Sequence, residues 1–239
     1  MANTIGSGAN ADPLTRWSSR RQHRGIRTND SSGDEGASSR PGFEIVRNQI
    51  LRDLGLPVDR MLQAEVALRL AEFILSLPTS GAMASVAIDG AGIKIGDGGV
   101  FDIGGFMATS GWEQSKELQI GRNAWTGAYR RGDKTIRVHS RLGEGDVVAA
   151  VDGRRIIAQC SKGPLARKPG RAEHSQLTTA LGEALLFDIG GDDIVVAAVP
   201  DTPVFRMLAE TWRRRPLVRR AGIRIALVGR DGTVSGLAL

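Results

Sequence analysis

One cysteine, one tyrosine and three histidines in 239 residues remove several classes of explanation at once. The lone Cys160 excludes an intramolecular disulfide. His23, His139 and His174 stand too far apart to complete a Cys/His zinc cluster at normal ligand spacing. So little cysteine fits a reducing cytoplasm, the expected location. No run of about 18 apolar residues is present to span a bilayer. The first residues also lack the apolar core of a secretory signal, so a membrane is not an expected partner. Aromatics make up only 5% of the chain, and Trp112 and Trp125 read as core before they read as stacking platforms for bases. The glycines of residues 85–107 are not followed by Gly-Lys-Ser/Thr, which leaves no phosphate loop there. Ser161 has no Gly-x-Ser-x-Gly elbow around it and is not read as a nucleophile.

Positive charge is plentiful. The net charge is +6, and between Gly153 and Ala172 there are six basic residues (Arg154, Arg155, Lys162, Arg167, Lys168, Arg171) and no acid. Arg213, Arg214, Arg215, Arg219 and Arg220 form a second cluster. Neutralising phosphates releases counterions, so a polyanion such as DNA is the partner this distribution favours. A protein-interaction domain whose arginines never meet phosphate is the alternative.

Residues 1–40 are rich in Ser, Gly, Asn and Arg and bury too little to offset their ordering entropy, which predicts a disordered basic arm. Its arginines are read first as a solvated tail. Residues 41–239 are read as one domain. Helical spacing over 43–54 and 58–77, with Pro57 and Pro78 around the second stretch, predicts a helical start. Glu65 and Glu72, seven apart, share one face of the second helix. Residues 85–107 alternate apolar residues with Gly and Asp and predict short strands joined by tight turns. "GRNAWTGAYRRG" reads as a loop or hairpin with exposed cations, and "KTIRVHS" (134–140) as a strand. Further on, "HSQLTTALGEALLF" predicts an amphipathic helix with Ser175 as N-cap, and "DIVVAAV" a strand apolar on both faces. Thr202 then caps a helix with Pro203 in its first turn, running to a stop at Gly222. "IRIALVG" supplies another strand, closed by a turn at Asp231-Gly232. This order implies an α/β layer structure with a mixed sheet.

The chemistry is expected in "GEGDVVAAVDGRRIIAQCSKG". Asp152-Gly153 between apolar runs is the signature of a two-residue hairpin turn. If Val151 faces Arg154, Asp146 falls opposite Gln159 and Glu144 opposite Ser161. A carboxylate in a sheet buried on both faces needs a hydrogen-bonding partner or a cation. With a second oxygen ligand and a lysine nearby, it offers Mg²⁺ the hard donors that ion prefers, while the ammonium answers charge developing on a phosphate. His139 is a further general-base candidate, although a lone histidine is more often structural. Strict alternation sends Lys162 to the face opposite Asp146 and Gln159. A β-bulge at Cys160-Ser161, or an end to the strand there, returns it.

Asp146, the hairpin, "IIAQCSK" and the helix near Gln176 resemble the PD-(D/E)XK, or restriction-endonuclease-like, nuclease superfamily. Gln159 in the second acidic position is similar to its Mrr-like members. The resemblance spans about residues 58–230, with the nuclease core over 134–230, and implies a central mixed β-sheet flanked by helices. It further implies that Asp146 and Gln159 are metal ligands for Mg²⁺, that Lys162 is the catalytic lysine, and that Glu65, Glu72 or Glu144 is an additional acid. Arg167, Lys168, Arg171 and Gln176 are the expected nucleic-acid contacts. The implied activity is metal-dependent DNA cleavage, with room for a homodimer because many nucleases pair to cut two strands. The alternative is a catalytically impaired subunit that binds nucleic acid or assembles with protein partners. Here Gln159 and Lys162 stand three apart, against two in the superfamily.

Overall fold

The computed structural model describes residues 60–90, 93–95, 99–115, 123–141, 143–164 and 171–239. The arm 1–40, the helix read over 43–54, and Arg167 and Lys168 lie outside the described residues. Helix α1 (Gln63–Ser76) buries Val66, Leu70 and Ile74 along the stripe that helical periodicity creates. Strand β1 (Ser80–Ala87) follows directly.

The glycine-rich stretch departs from the expectation of strands alone. After two short strands, β2 (Lys94–Ile95) and β3 (Gly99–Val100), a helix α2 (Ile103–Thr109) forms. Asp102 starts it: its side chain accepts the Gly105 N–H at 2.9 Å, the bond an N-cap makes, and Ile103 and Met107, four apart, are buried. Strands β4 (Glu113–Ser115), β5 (Gly127–Arg131) and β6 (Lys134–His139) then lead to the hairpin β7 (Val147–Val151) and β8 (Arg154–Cys160). Helix α3 (Arg171–Ala184) opens four residues before Ser175, which therefore lies inside it and not at its cap.

Strand β9 (Ile194–Pro200) is buried along its whole length, as its two apolar faces predict. Thr202 Oγ1 accepts the Phe205 N–H at 3.3 Å and caps α4 (Pro203–Arg213), with proline in its first turn. The helix read as continuous to Gly222 is in fact two. Pro216 cannot donate within a continuing helix, so the chain restarts as α5 (Pro216–Ala221), which ends at Gly222 in the left-handed conformation (φ 67°). Strands β10 (Arg224–Val228) and β11 (Val234–Ser235) complete the chain.

The nine-stranded mixed sheet has the order β11-β10-β9-β8-β7-β1-β6-β5-β4. Pairing is antiparallel for β1 with β7 and β7 with β8, and parallel for β8 with β9 and β9 with β10. α1 packs on one face, against β1 and β7, while α3 covers β8 and β9 and α4 covers β10 on the other. The result is an α/β layered fold with the β7-β8 hairpin at its centre. Among the described residues no helix is long and apolar enough to cross a membrane.

Candidate functional site

The hairpin turn sets the site's register. Asp152 and Gly153 both take positive φ (52° and 72°), the type I′ geometry that suits strand twist. Val151 faces Arg154, and the ladder continues to Val147 opposite Ala158. Past that point the chain leaves strict pairing: the Asp146 N–H donates to Ala158 O at 2.8 Å and the Ala87 N–H to Asp146 O at 2.8 Å. Asp146 is therefore fixed by both neighbouring strands. Gly145, at φ 149°, threads a close passage where a Cβ would come within 2.8 Å of Ile157 and 3.2 Å of Phe187. Only glycine passes there without displacing a neighbour.

The Asp146 and Gln159 side chains meet as expected although the strict ladder has ended, with Gln159 Nε2 donating to Asp146 Oδ2 at 2.9 Å. Two further donors reach the same oxygen: the Cys160 N–H at 2.7 Å, and Gln63 Nε2, from the first turn of α1, at 2.9 Å. All three are neutral. Among the described residues no cation pairs with this carboxylate. Burial pushes its pKa up to about 6. The Cys160 and Gln63 N–H groups pull the other way, and the negative fields of Glu183 and Asp89 add to the rise.

Asp146 opens on a cavity of about 460 Å³, and Gln63, Gln159, Lys162 and Gln176 share its wall. Lys162 reaches that wall because β8 ends. The Ser161 N–H still donates to Ala198 O at 2.8 Å, but two residues later the Gly163 N–H turns to Met61 O at 2.7 Å. Of the two routes back to the site, the strand's end is the one taken. Ser161, buried, donates from Oγ to Gln176 Oε1 at 2.6 Å and so ties α3 to the hairpin. Thr179 and Glu183 continue the wall from Gln176 at helical spacing, and Leu186, past the end of α3, extends it. Arg171 opens the same helix.

The three acids expected to assist lie elsewhere. Glu65 is buried and held by Arg230 through both oxygens (2.9 and 3.0 Å) and by Arg69 at 3.1 Å. Glu72 accepts from Trp112 Nε1 at 2.7 Å. Their seven-residue spacing did place both on α1, but each looks into packed structure and lines no part of the cavity. Glu144 does not face Ser161, because the ladder stops at Val147; its carboxylate pairs with Arg155 at 2.6 Å. From α1 the residue that arrives is Gln63, an amide where an acid was sought. Asp89 and Glu183 supply the cavity's other carboxylates. None of these three was read from the sequence, since each comes from a segment remote from the hairpin.

Cys160 is a small core residue, and burial pushes its thiol pKa well up. His139 Nε2 lies 2.8 Å from Ser85 Oγ, and burial is the main reason its pKa is lowered; its ring is not part of the cavity wall. Trp112 is buried, as expected of core. Among the described residues no three His, Cys, Asp or Glu side chains gather as a ready metal cage.

A desolvated carboxylate with Asp89 and Glu183 in the same wall still suits a hard cation. Mg²⁺ keeps several waters and takes one or two protein carboxylates, completing its shell with phosphate oxygens. A half-turn of either glutamine amide about its last side-chain bond exchanges a donor N–H₂ for an acceptor oxygen beside Asp146. The donor set is thus compatible with the ion. No family, curated protein or solved structure matches this chain.

Proposed function

We propose that the chain is a restriction-endonuclease-like protein that binds DNA and hydrolyses its phosphodiester bonds with Mg²⁺. One observation carries the reading: Asp146, Gln159 and Lys162, from three points of one hairpin and its exit, border a single cavity. Asp146 and Gln159 would hold the ion, which would polarise the phosphoryl group and offset charge developing on it. Lys162, with no carboxylate partner among the described residues, would place its ammonium against a phosphate oxygen. Gln176, fixed by Ser161, would orient the strand entering along α3. A desolvated carboxylate with no ion pair among the described residues is an expensive arrangement to keep for packing alone.

Plasmid nicking with Mg²⁺, Mn²⁺ or EDTA tests this. Wild-type protein nicks with either metal and not with EDTA. Asp146→Ala abolishes cleavage while DNA binding persists or tightens, and Lys162→Ala loses roughly 10²-fold or more in rate, as removal of one transition-state donor does elsewhere. Wild-type cutting by Asp146→Ala refutes the assignment.

A second reading, a catalytically impaired nuclease-fold subunit that binds nucleic acid, draws on the same geometry. The two side chains that touch Asp146 are both amides, one negative charge short of an acidic pair. DNA binding with no metal-dependent nicking selects it.

A further inference from the structure

The sheet is covered unequally. On one face α1 packs over β1 and β7, and Ala84, Val86, Ile136, Val138, Val147 and Ala149 are buried in the core there. On the opposite face α3 lies over β8 and β9 and α4 over β10, and no described helix covers β7, β1, β6 and β5. Several side chains on that face remain open: Met83 is 45% exposed, and Ala150, Arg130 and Arg137 are exposed, while Ala128 is buried between them. Register aligns them. Arg137 stands beside Ser85 of β1 and Ala128 of β5, while Arg130 faces Thr135, so both arginines project from the face that carries Ala87 in the cavity wall. Arg141, exposed and also in that wall, lies just past the end of β6.

These three differ from the other cations of β5 and β6, which pair as an antiparallel hairpin. Arg131 stacks over Trp112 at 4.4 Å and donates to Ser110 O at 3.0 Å, and Lys134 Nζ donates to Ser80 O and Oγ at 3.2 and 3.1 Å. Arg130, Arg137 and Arg141 have no ion pair among the described residues. The acids nearby are Glu113, opposite Arg130, Asp133 in the turn, and Asp89, Asp146 and Glu183 in the cavity wall that Arg141 shares. At about 3.4 Å per residue and 4.8 Å between strands, the three arginines span at most about 20 Å, over which a duplex presents about a dozen phosphates.

The geometry points to this face, uncovered by any described helix, as the track for a DNA duplex, with Arg130, Arg137 and Arg141 on the backbone phosphates and the scissile strand leading into the Asp146 cavity. This rests on the DNA reading above and names its surface. The α4-α5 corner, with Arg215, Arg219 and Arg220 exposed, is the competing site.

The test is fluorescence anisotropy of a short labelled duplex in EDTA over a salt series, with variants whose melting temperatures match wild type. Each phosphate contact contributes about 0.9 to the slope of log affinity against log salt. Arg130→Gln with Arg137→Gln lowers the slope by about 1.8, and Arg130→Lys with Arg137→Lys restores it. Arg215→Gln with Arg219→Gln leaves it unchanged. An unaltered slope in the first pair, or a drop in the last pair instead, overturns the track. A wild-type protein that binds no duplex overturns both the track and the DNA reading. Absent nicking alongside the expected slope changes touches only the catalytic claim, which keeps the two failures distinct.

Discussion

Two desolvated carboxylates, Glu65 fully buried and Asp146 half-buried at a cavity, are treated by the fold in contrasting ways. Glu65 on α1 meets two guanidiniums, one of them through both oxygens, and joins α1 to Arg230, two residues past the end of β10. Asp146, at the mouth of the hairpin, receives three neutral N–H donors and no cation among the described residues. The first is a closed ion pair whose charge is answered within the chain. The second is an open account of negative charge beside a cavity. An answered charge is the ordinary structural arrangement, and the unanswered one beside a cavity is what the proposed ligand role rests on.

The largest effect should come from breaking the answered pair. Glu65→Ala leaves Arg230 and Arg69 facing a buried gap and should cost about 3–5 kcal/mol, seen as a lowered urea midpoint. Asp146→Asn should act in the opposite sense. The folded pKa of about 6 lies above the unfolded value of 3.8, so between those pH values the folded protein holds more of the proton. Stability therefore falls as pH rises through that window, and the full penalty is present above it. At neutral pH Asp146→Asn should stabilise by about 2–3 kcal/mol, or roughly 5–10 °C in melting temperature. The gain should vanish below about pH 4. A gain that persists in acid would show that charge is not its cause.

Gly145→Ala should cost about 1–3 kcal/mol, because the methyl group meets Ile157 and Phe187 and pushes on the segment that aims Asp146. Its nicking rate should fall more than its stability explains. Ser161→Ala should be the smallest, about 1 kcal/mol, by freeing Gln176 from its hydrogen bond. Crystal structures or amide exchange of α3 would show whether the tie to the hairpin loosens.

Which of these features the sequence disclosed follows from how local they are. The Asp-Gly turn fixes its own geometry, and the turn fixes which residues face each other as far as Val147 and Ala158. Asp146 beside Gln159, one residue beyond that ladder, was legible from the same short stretch. Lys162 was legible only as a choice between two backbone routes, because alternation alone sends it away. Gln63 was hidden, since it lies 83 residues from Asp146 in sequence and nothing in its helix marks it. Glu65 and Glu72 were misread for a related reason: spacing gives the face of a helix but not what packs on it, and Arg230 is 165 residues from Glu65. The Gly-rich stretch concealed α2, although Asp102 was a cap signal, and Pro216 was a break signal within the final helical segment. The mixed α/β sheet itself followed from element order, because alternating strands and helices leave few layered arrangements.

The claim at the centre is that the charge missing beside Asp146 is supplied by a metal ion. Differential scanning calorimetry with and without Mg²⁺, on wild type and on Asp146→Asn, measures it directly. Binding to the folded form alone raises the melting temperature with ligand concentration, so Mg²⁺ should raise it for wild type and leave the variant unmoved. Equal shifts in both proteins, or none in wild type, would contradict the account.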